Sequence, residues 1–241
     1  MVVKRLATIL LAGTALFASG TFAASSDHIY VQASKGSFND AAISKLFKQQ
    51  PSLKADVDFS GTPLNTFMQA DLHNSLAFSA VENSTIDGHL VQATVEALQQ
   101  YKLVDVKAFI TTPIEMCVLM NRADVASKHP ITLIASHPAA LKQIKSWKQS
   151  LGVKELSVPE GTAVAAQRVS NGDMPDGTAA IGACVLEKVY ANLVVVEQGV
   201  QDNKNNTTSF LLMDVEKRVS PISQQQARQE LQAAIDLGQK L

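Results

Sequence analysis

The C-terminal part of the chain reads Asn206-Thr207-Thr208-Ser209-Phe210 and continues directly into the apolar run Leu211-Leu212-Met213. An apolar run of this length bounded by polar residues predicts a β-strand, here from residue 209 to residue 215. This strand is the last of a series of short apolar runs that alternate with helical patterns. Such alternation over 241 residues predicts an α/β fold with a mainly parallel sheet.

The other predicted strands and helices follow the same alternation. Strands are expected at 28–31, 56–60, 76–81, 104–111, 116–121, 131–135, 179–182 and 193–196. Helices are expected to begin near 39, 62, 90, 138, 162 and 183, and an amphipathic helix is expected to follow Ser220-Pro221. In a parallel sheet, ligands bind at the carboxyl ends of the strands, where the helices begin.

Polar residues are concentrated at those positions. Gly36-Ser37, Asn83-Ser84, Ser136-His137 and Thr162 each follow a predicted strand and lie at or near a helix start. A helix N-terminus offers free N–H groups and a positive dipole end, so a shared anion site is one hypothesis. Serine, threonine and asparagine are also the ordinary N-cap residues, and simple capping is the alternative.

The first 24 residues have the layout of a secretory signal peptide. Lys4 and Arg5 precede an apolar run from residue 6 to residue 17, and small residues end at Ala23-Ala24. We therefore expect cleavage near Ala23 or Ala24 and a periplasmic or secreted protein with no stable membrane association. A membrane anchor is the alternative, but the apolar run is short for a bilayer span.

The charge balance excludes one class of partner. Without Lys4 and Arg5 the chain has 19 basic and 22 acidic residues, and this balance argues against nucleic acid as a partner.

The chain has two cysteines. Cys117 and Cys184 either form a disulfide in an oxidising compartment or are two separate buried side chains. The sequence has no CxxC or HExxH motif, so neither a metal site nor a cofactor is predicted.

Six stretches, in order, resemble motifs of the prephenate dehydratase family. Residues 206–210 resemble the family signature Asn-x-Thr-Arg-Phe, with Ser209 in place of the arginine. The other five are Gly36-Ser37-Phe38, Val81-Glu82-Asn83-Ser84 with Gly88 and Thr94, Ser136-His137-Pro138 with Leu141 and Gln143, Ala179-Ala180-Ile181-Gly182, and Val200-Gln201-Asp202. The resemblance extends over about residues 28–215.

The resemblance implies a two-lobed α/β fold like that of type II periplasmic binding proteins, with an active cleft between the lobes. Residues 25–215 are expected to form this domain. Lobe 1 is expected to comprise about 28–105 plus 191–215, lobe 2 about 106–190, and a C-terminal helix 216–241. The regulatory ACT domain that often follows in this family is not expected, because only 28 residues follow Met213.

The family reaction removes water and carbon dioxide from prephenate, a dicarboxylate, and yields phenylpyruvate. Carried over by motif, Thr208 is the expected catalytic hydroxyl that assists the leaving group. The expected substrate-binding residues are Ser37, Glu82, Asn83, Ser84, Ser136, His137, Ser209 and Phe210. Capping of its own helix is the alternative role for His137. Such a reaction needs hydroxyls, amides and a dry site rather than a metal.

Ser209 cannot form the bidentate charged contact that an arginine makes with a carboxylate. Three functions therefore stay open. The sequence favours an exported prephenate dehydratase, a carbon–oxygen lyase that serves phenylalanine synthesis. The alternatives are a non-catalytic periplasmic protein that binds an aromatic or carboxylate ligand, and a prephenate decarboxylase-like enzyme. A homodimer is left open as well.

Overall fold

The structure, a computed structural model, describes residues 28–86 and 89–241. The predicted signal peptide and Gly88 lie outside the described residues. Within the described part of the chain, two five-stranded sheets with helices packed on their faces form two lobes. The predicted two-lobed α/β architecture is therefore confirmed.

The chain first builds most of lobe 1. The elements, in order, are β1 (His28–Val31), α1 (Phe38–Gln49), β2 (Asp56–Phe59), α2 (Pro63–Leu72), β3 (Leu76–Asn83), α3 (Gln92–Gln100) and β4 (Tyr101–Pro113). A short 3-10 turn, Pro51–Leu53, precedes β2. Side-chain caps fix two of these helices, because Ser37 accepts a hydrogen bond at the start of α1 and Thr62 does so at the start of α2.

The chain then forms the whole of lobe 2. Its elements are β5 (Met116–Asn121), α4 (Arg122–Ala126), β6 (Leu133–Ser136), α5 (Pro138–Leu141), α6 (Lys145–Leu151), β7 (Lys154–Ser157), α7 (Thr162–Asn171), β8 (Thr178–Ala183), α8 (Leu186–Val189) and β9 (Leu193–Gln198). It finally returns to lobe 1 as β10 (Thr207–Lys217) and the terminal helix α9 (Gln224–Gly238).

Both sheets are mixed, which corrects the predicted mainly parallel sheet. In lobe 1 the strand order is β2-β1-β3-β10-β4, with β1 parallel to β2 and β3, and β10 antiparallel to β3 and β4. In lobe 2 the order is β7-β6-β8-β5-β9, with β5 antiparallel to β8 and β9. The antiparallel strands β5 and β10 are those that follow a crossing between the lobes, so the crossings cause the mixed pairing.

The lobe boundaries also differ from the prediction. The long strand β4 belongs to lobe 1 over its full length to Pro113, not to residue 105, because it pairs with β10 throughout. Strand β9 belongs to lobe 2, because it pairs with β5. The C-terminal helix begins at Gln224 rather than at residue 216, since residues 216 and 217 still belong to β10.

The alternation of side chains along β10 divides the core of lobe 1. Phe210 and Leu212 point to the face covered by α1, where the Phe210 ring stacks on Phe78 with centroids 5.5 Å apart. Leu211 and Met213 point to the opposite face, which is covered by α2, α3 and α9. Successive side chains of a strand point to opposite faces, so β10 contributes to both layers of the core.

The lobes contact each other at the start of α1. Gly36 has φ +78°, a left-handed conformation that favours glycine. A Cβ atom at this position would lie 2.6 Å from Leu186 Cδ2, on α8 of the other lobe. The glycine of the predicted motif therefore allows the loop before α1 to approach lobe 2 closely.

A disulfide joins Cys117 in β5 to Cys184, which follows β8, with Cα atoms 5.0 Å apart. The sequence left open whether these cysteines form a disulfide or are two separate buried side chains, and the structure shows the disulfide. The bridge closes a loop between residues separated by 67 positions, and loops of such length lose considerable entropy in the unfolded state when they are cross-linked. Among the described residues, no helix is long and apolar enough to cross a bilayer.

Candidate active site

A cleft of about 200 Å³ lies between the lobes. Its apolar lining includes Phe38, Ile114, Met116 and Phe210, which come from both lobes. The polar residues that line it are Gln32, Asn39, Asn83, His137, Gln143, Thr162 and Thr208. Among the described residues that form this lining, none is Lys, Arg, Asp or Glu.

Strand β10 places Thr208 in the cleft and Ser209 outside it. Thr208 and Phe210 line the cleft, whereas Thr207 and Ser209 line a second pocket of about 220 Å³ together with Glu82. This division follows from the period of two along a strand. On the neighbouring strand β3, Asn83 is opposite Thr208 and Glu82 is opposite Ser209. Asn83 therefore lines the cleft with Thr208, and Glu82 lines the second pocket with Ser209.

The side-chain amide of Asn83 orients the hydroxyl of Thr208. The Thr85 backbone N–H donates to Asn83 Oδ1 at 2.9 Å, and this contact decides which end of the amide is the oxygen. The Asn83 Nδ2 group consequently donates to Thr208 Oγ1 at 2.7 Å. Because Thr208 Oγ1 accepts this hydrogen bond, its own hydrogen is left to donate to a group in the cleft.

The same amide begins a chain of hydrogen bonds that reaches lobe 2. Asn83 Nδ2 also donates to Asn206 Oδ1 at 3.0 Å, so Asn206 Nδ2 is the donor on the other side. It donates to Gln143 Oε1 at 2.6 Å, and Gln143 Nε2 donates to the Ala139 carbonyl at 3.0 Å. The orientation of Thr208 in lobe 1 is thereby linked to Gln143 in lobe 2.

His137 is both a helix cap and a residue of the cleft. Its Nδ1 accepts a hydrogen bond from the Ala139 backbone N–H at 3.2 Å, as an N-cap group of α5. Burial lowers the pKa of His137 and favours the neutral ring. In a neutral ring whose Nδ1 is an acceptor, Nε2 carries the hydrogen. The capping role is therefore confirmed, and the ring also lines the cleft, where contact with a ligand stays a prediction.

Gln32 is a residue of the cleft that the sequence did not identify as functional. Its Oε1 accepts hydrogen bonds from Ser79 Oγ at 2.7 Å and from the Ala80 backbone N–H at 3.0 Å. With the oxygen engaged in this way, the Nε2 group of Gln32 remains as a donor. The hydrogen bonds themselves join residues 47 and 48 positions apart, so no local sequence signal predicts them.

Several helix starts converge on the cleft, as the distribution of polar residues predicted. Phe38 and Asn39 at the start of α1, Ala139 in α5 and Thr162 at the start of α7 all belong to its lining. Backbone N–H groups in a first helical turn have no partner within the helix, and they attract anions. The Ala139 N–H already donates to His137 Nδ1, so the starts of α1 and α7 provide the remaining backbone donors, which carry no formal charge.

Five predicted substrate-binding residues do not line the cleft. Ser37 is buried and caps α1 by accepting from the Asp40 N–H. Ser136 is fully buried, and its hydroxyl donates to the Ile181 carbonyl at 2.6 Å. The remaining three line the second pocket, and they are Glu82, Ser84 and Ser209. The motifs marked the correct strands and helices, but strand direction and capping place these side chains elsewhere.

In the second pocket, Ser209 replaces the family arginine beside Glu82. The Ser209 hydroxyl donates to Glu82 Oε2 at 3.3 Å and lies 3.0 Å from Thr111 Oγ1. A side chain at this position thus faces Glu82 rather than the cleft that contains Thr208. We therefore expect an arginine at this position to pair with Glu82 rather than to add charge to the cleft.

One cluster with the composition of a metal site lies away from the cleft. Ligand atoms of Asp124, His129 and Asp176 lie within 4.8 Å of one another. The buried Asp124 carboxylate already accepts from the Gly177 N–H at 3.0 Å, and its other oxygen is 3.0 Å from His129 Nδ1. These contacts give the cluster a structural role, which is to join α4 to the turn before β8.

Residues 29–218, most of the chain, match the prephenate dehydratase family. The chain belongs to the prephenate dehydratase family. A prephenate dehydratase of Methanocaldococcus jannaschii is 27% identical over 179 residues, which are 74% of this chain and 61% of that protein. Arogenate dehydratase/prephenate dehydratase 1 of Arabidopsis thaliana is 30% identical over 133 residues, which are 55% of this chain and 32% of that protein.

A solved family structure shows the same fold. The prephenate dehydratase of Arthrobacter aurescens, in complex with L-Phe, superposes with a TM-score of 0.63 at 20% identity and covers 81% of this chain and 62% of that one. The chain spans 32% to 61% of the length of the two curated relatives. Membership of the family is thus established for the two-lobed domain.

The position of Ser209 predicts an effect on stability. In the Ser209→Arg variant we expect the guanidinium to enter the second pocket and pair with Glu82. A double-mutant cycle with Glu82→Gln, measured by urea unfolding, should give a coupling free energy on the order of 1 kcal/mol in favour of the charged pair. Additive effects of the two substitutions would contradict this placement.

The burial of His137 predicts a loss of stability in weak acid. Because burial holds the folded-state pKa below the unfolded value of about 6.5, the unfolded chain binds the proton more readily. The free energy of unfolding should therefore fall as pH drops through 6.5 towards the folded-state pKa. His137→Asn, which keeps an N-cap residue, should remove this part of the fall. If the free energies of unfolding of the wild type and the His137→Asn variant differ by a constant amount from pH 8 to 5.5, His137 does not cause this loss of stability.

Proposed function

We propose that the protein is a prephenate dehydratase that converts prephenate to phenylpyruvate, with Thr208 as the catalytic hydroxyl. The observation that carries the proposal is the hydrogen bond from Asn83 Nδ2 to Thr208 Oγ1 at 2.7 Å. This bond leaves the Thr208 hydrogen as a donor inside an apolar cleft. Family membership supports the same reaction class, a carbon–oxygen lyase.

The proposed reaction is balanced without a cofactor. The bond between the ring and its carboxylate breaks to release carbon dioxide, and the electron pair enters the ring. The bond between the ring and its hydroxyl then breaks, and the oxygen leaves with the electron pair. Thr208 donates a hydrogen bond to this oxygen as its charge develops, and a proton from solvent completes the water. The product ring is aromatic.

The remaining groups of the cleft would bind and orient the substrate. The side-chain amide of Gln32, the Nε2–H of His137 and the N–H groups at the starts of α1 and α7 are neutral donors that suit carboxylates. The face of Phe210, held against Phe78, offers an apolar surface for the ring. An apolar lining also keeps water from the departing carboxylate.

We infer further that the protein is exported. Two observations support export, namely the layout of residues 1–24 and the disulfide between Cys117 and Cys184. Disulfides persist in oxidising compartments and are rare in the cytosol. In the periplasm or outside the cell, the enzyme would form phenylpyruvate from prephenate that has left the cytosol.

Substitution of Thr208 tests the proposed activity. We expect the purified wild-type protein to form phenylpyruvate from prephenate at neutral pH, well above an enzyme-free control. Thr208→Val keeps the shape but removes the hydroxyl, and it should lower kcat by about a hundredfold or more. Thr207→Val is the matched control, because this neighbouring threonine lines the second pocket. Equal turnover by the Thr208 and Thr207 variants would reject the role of Thr208.

The wild-type protein also separates the proposed enzyme from a binding protein. Turnover of prephenate supports the enzyme. If calorimetry shows that prephenate binds but no phenylpyruvate forms, the proposed activity is wrong and the cleft serves binding alone.

Export predicts the form of the protein in its native cell. The protein recovered from the periplasm or the medium should begin near Ser25, as determined by N-terminal sequencing. Its intact mass should show no alkylation of cysteine before reduction and alkylation of two cysteines after it. A protein that retains residues 1–24 and carries free thiols would show that it is not exported.

A further inference from the structure

Gln32 presents an unpaired hydrogen-bond donor to the cleft. The Ala80 backbone N–H donates to Gln32 Oε1 at 3.0 Å, and this contact decides which end of the amide is the oxygen. Within the described residues, Gln32 Nε2 has no hydrogen-bond partner, and Asn39 Oδ1 is the one buried side-chain nitrogen or oxygen without a partner. Gln32 Nε2 is therefore accessible, and the side chain that carries it lines the cleft.

The backbone next to Gln32 is held in a conformation that non-glycine residues rarely adopt. Ala33 has φ +70°, in the left-handed region. The Ala33 N–H donates to the Gly61 carbonyl at 2.6 Å, and the Gly61 N–H donates to the Ala33 carbonyl at 3.1 Å. Strained backbone of this kind is concentrated at functional sites, where the surrounding structure holds it in place. Gln32 is thus fixed by its backbone on one side and by its contact with β3 on the other.

Gln32 lies across the sheet from Thr208. It directly follows β1, whereas Thr208 belongs to β10, and β3 lies between these two strands. Adjacent strands are about 4.8 Å apart, so the backbones at the two residues are about 10 Å apart across the sheet. A ligand whose ring hydroxyl contacts Thr208 therefore points the opposite end of its ring towards Gln32. In prephenate the ring carbon opposite the hydroxyl carries the ring carboxylate and a side chain that ends in the second carboxylate.

We propose that Gln32 is a specificity-determining residue whose Nε2 group binds the side-chain carboxylate of the ligand, so that the cleft also binds the product, an aromatic 2-oxo acid. The orientation of the ring rests on the proposed function. The ring carboxylate loses its charge in the reaction, and a donor on it would stabilise the substrate more than the transition state. The side-chain carboxylate stays ionised, so a donor on it stabilises substrate, transition state and product alike. Gln32 therefore sets the affinity for the ligand rather than the rate of the chemical step.

The Gln32→Glu variant tests this role. Its carboxylate can still accept from the Ser79 hydroxyl and the Ala80 N–H, but it offers an acceptor in place of the Nε2 donor. Its melting temperature should therefore stay close to that of the wild type. Its affinity for phenylpyruvate, measured by calorimetry, should fall roughly tenfold or more. KM for prephenate should rise by a similar factor, while kcat changes less.

Two further variants separate the lost donor from the added charge. Gln32→Met keeps the length of the side chain but has neither donor nor charge, and its affinity for phenylpyruvate should fall by a smaller factor. It also decides the question alone should Gln32→Glu fail to fold. Gln49→Glu adds the same charge at the exposed C-terminal end of α1, whose first turn lines the cleft, and it should leave the affinity unchanged.

Lower affinity for phenylpyruvate in the Gln32 variants, with Gln49→Glu like the wild type, supports the proposal. Unchanged affinity in either Gln32 variant, or no binding of phenylpyruvate to the wild type, would overturn it. A fall in kcat with KM unchanged would overturn it as well, because Gln32 would then act in the transition state. If the wild type forms no product from prephenate but binds phenylpyruvate through Gln32, the proposed reaction alone is wrong.

Discussion

The return of the chain into lobe 1 as β10 is the constraint on which the site depends. This strand is inserted between β3 and β4, both formed before the chain enters lobe 2. It pairs with β4 along its whole length and with β3 from Thr208 to Met213. The pairing fixes Thr208 opposite Asn83 and leaves Asn206 at the point where the chain crosses between the lobes. A shift of one residue in this register would exchange the faces and move Thr208 out of the cleft.

The hydrogen-bonded amides extend that constraint from the strand to the relative position of the lobes. The backbone N–H of Thr85 orients Asn83, Asn83 orients Asn206, and Asn206 selects the oxygen of Gln143. Each amide has only one orientation that satisfies its neighbours. Every hydrogen bond in the series from Thr85 to Gln143 therefore runs in the same direction from donor to acceptor. The result at Thr208 is a hydroxyl whose oxygen is engaged before any ligand binds, and such preorganisation is what a hydrogen-bond donor in catalysis requires.

The sequence predicted most of the strands and helices but neither α4 nor β7, and it failed where side-chain direction or long-range pairing decides the structure. Motif spacing correctly placed Thr208 and His137 in the cleft. Ser209 was expected beside Thr208, although the period of a strand already implied opposite faces for adjacent residues. Ser136 matched a motif but satisfies a backbone carbonyl in the core. Gln32 was missed because its hydrogen bonds to Ser79 and Ala80 join residues 47 and 48 positions apart, and no spacing rule reports them.

The uncharged lining of the cleft fits the charge movement of the proposed reaction. The ring carboxylate loses its charge as carbon dioxide departs, so a fixed cation beside it would stabilise the substrate more than the transition state. Negative charge develops instead on the leaving oxygen, where the oriented hydroxyl of Thr208 acts. Burial lowers the pKa of His137 and favours the neutral ring, which can donate a hydrogen bond without adding a cation. An arginine at position 209 would face Glu82 on the other side of the sheet, and its replacement by serine is therefore compatible with this distribution of charge.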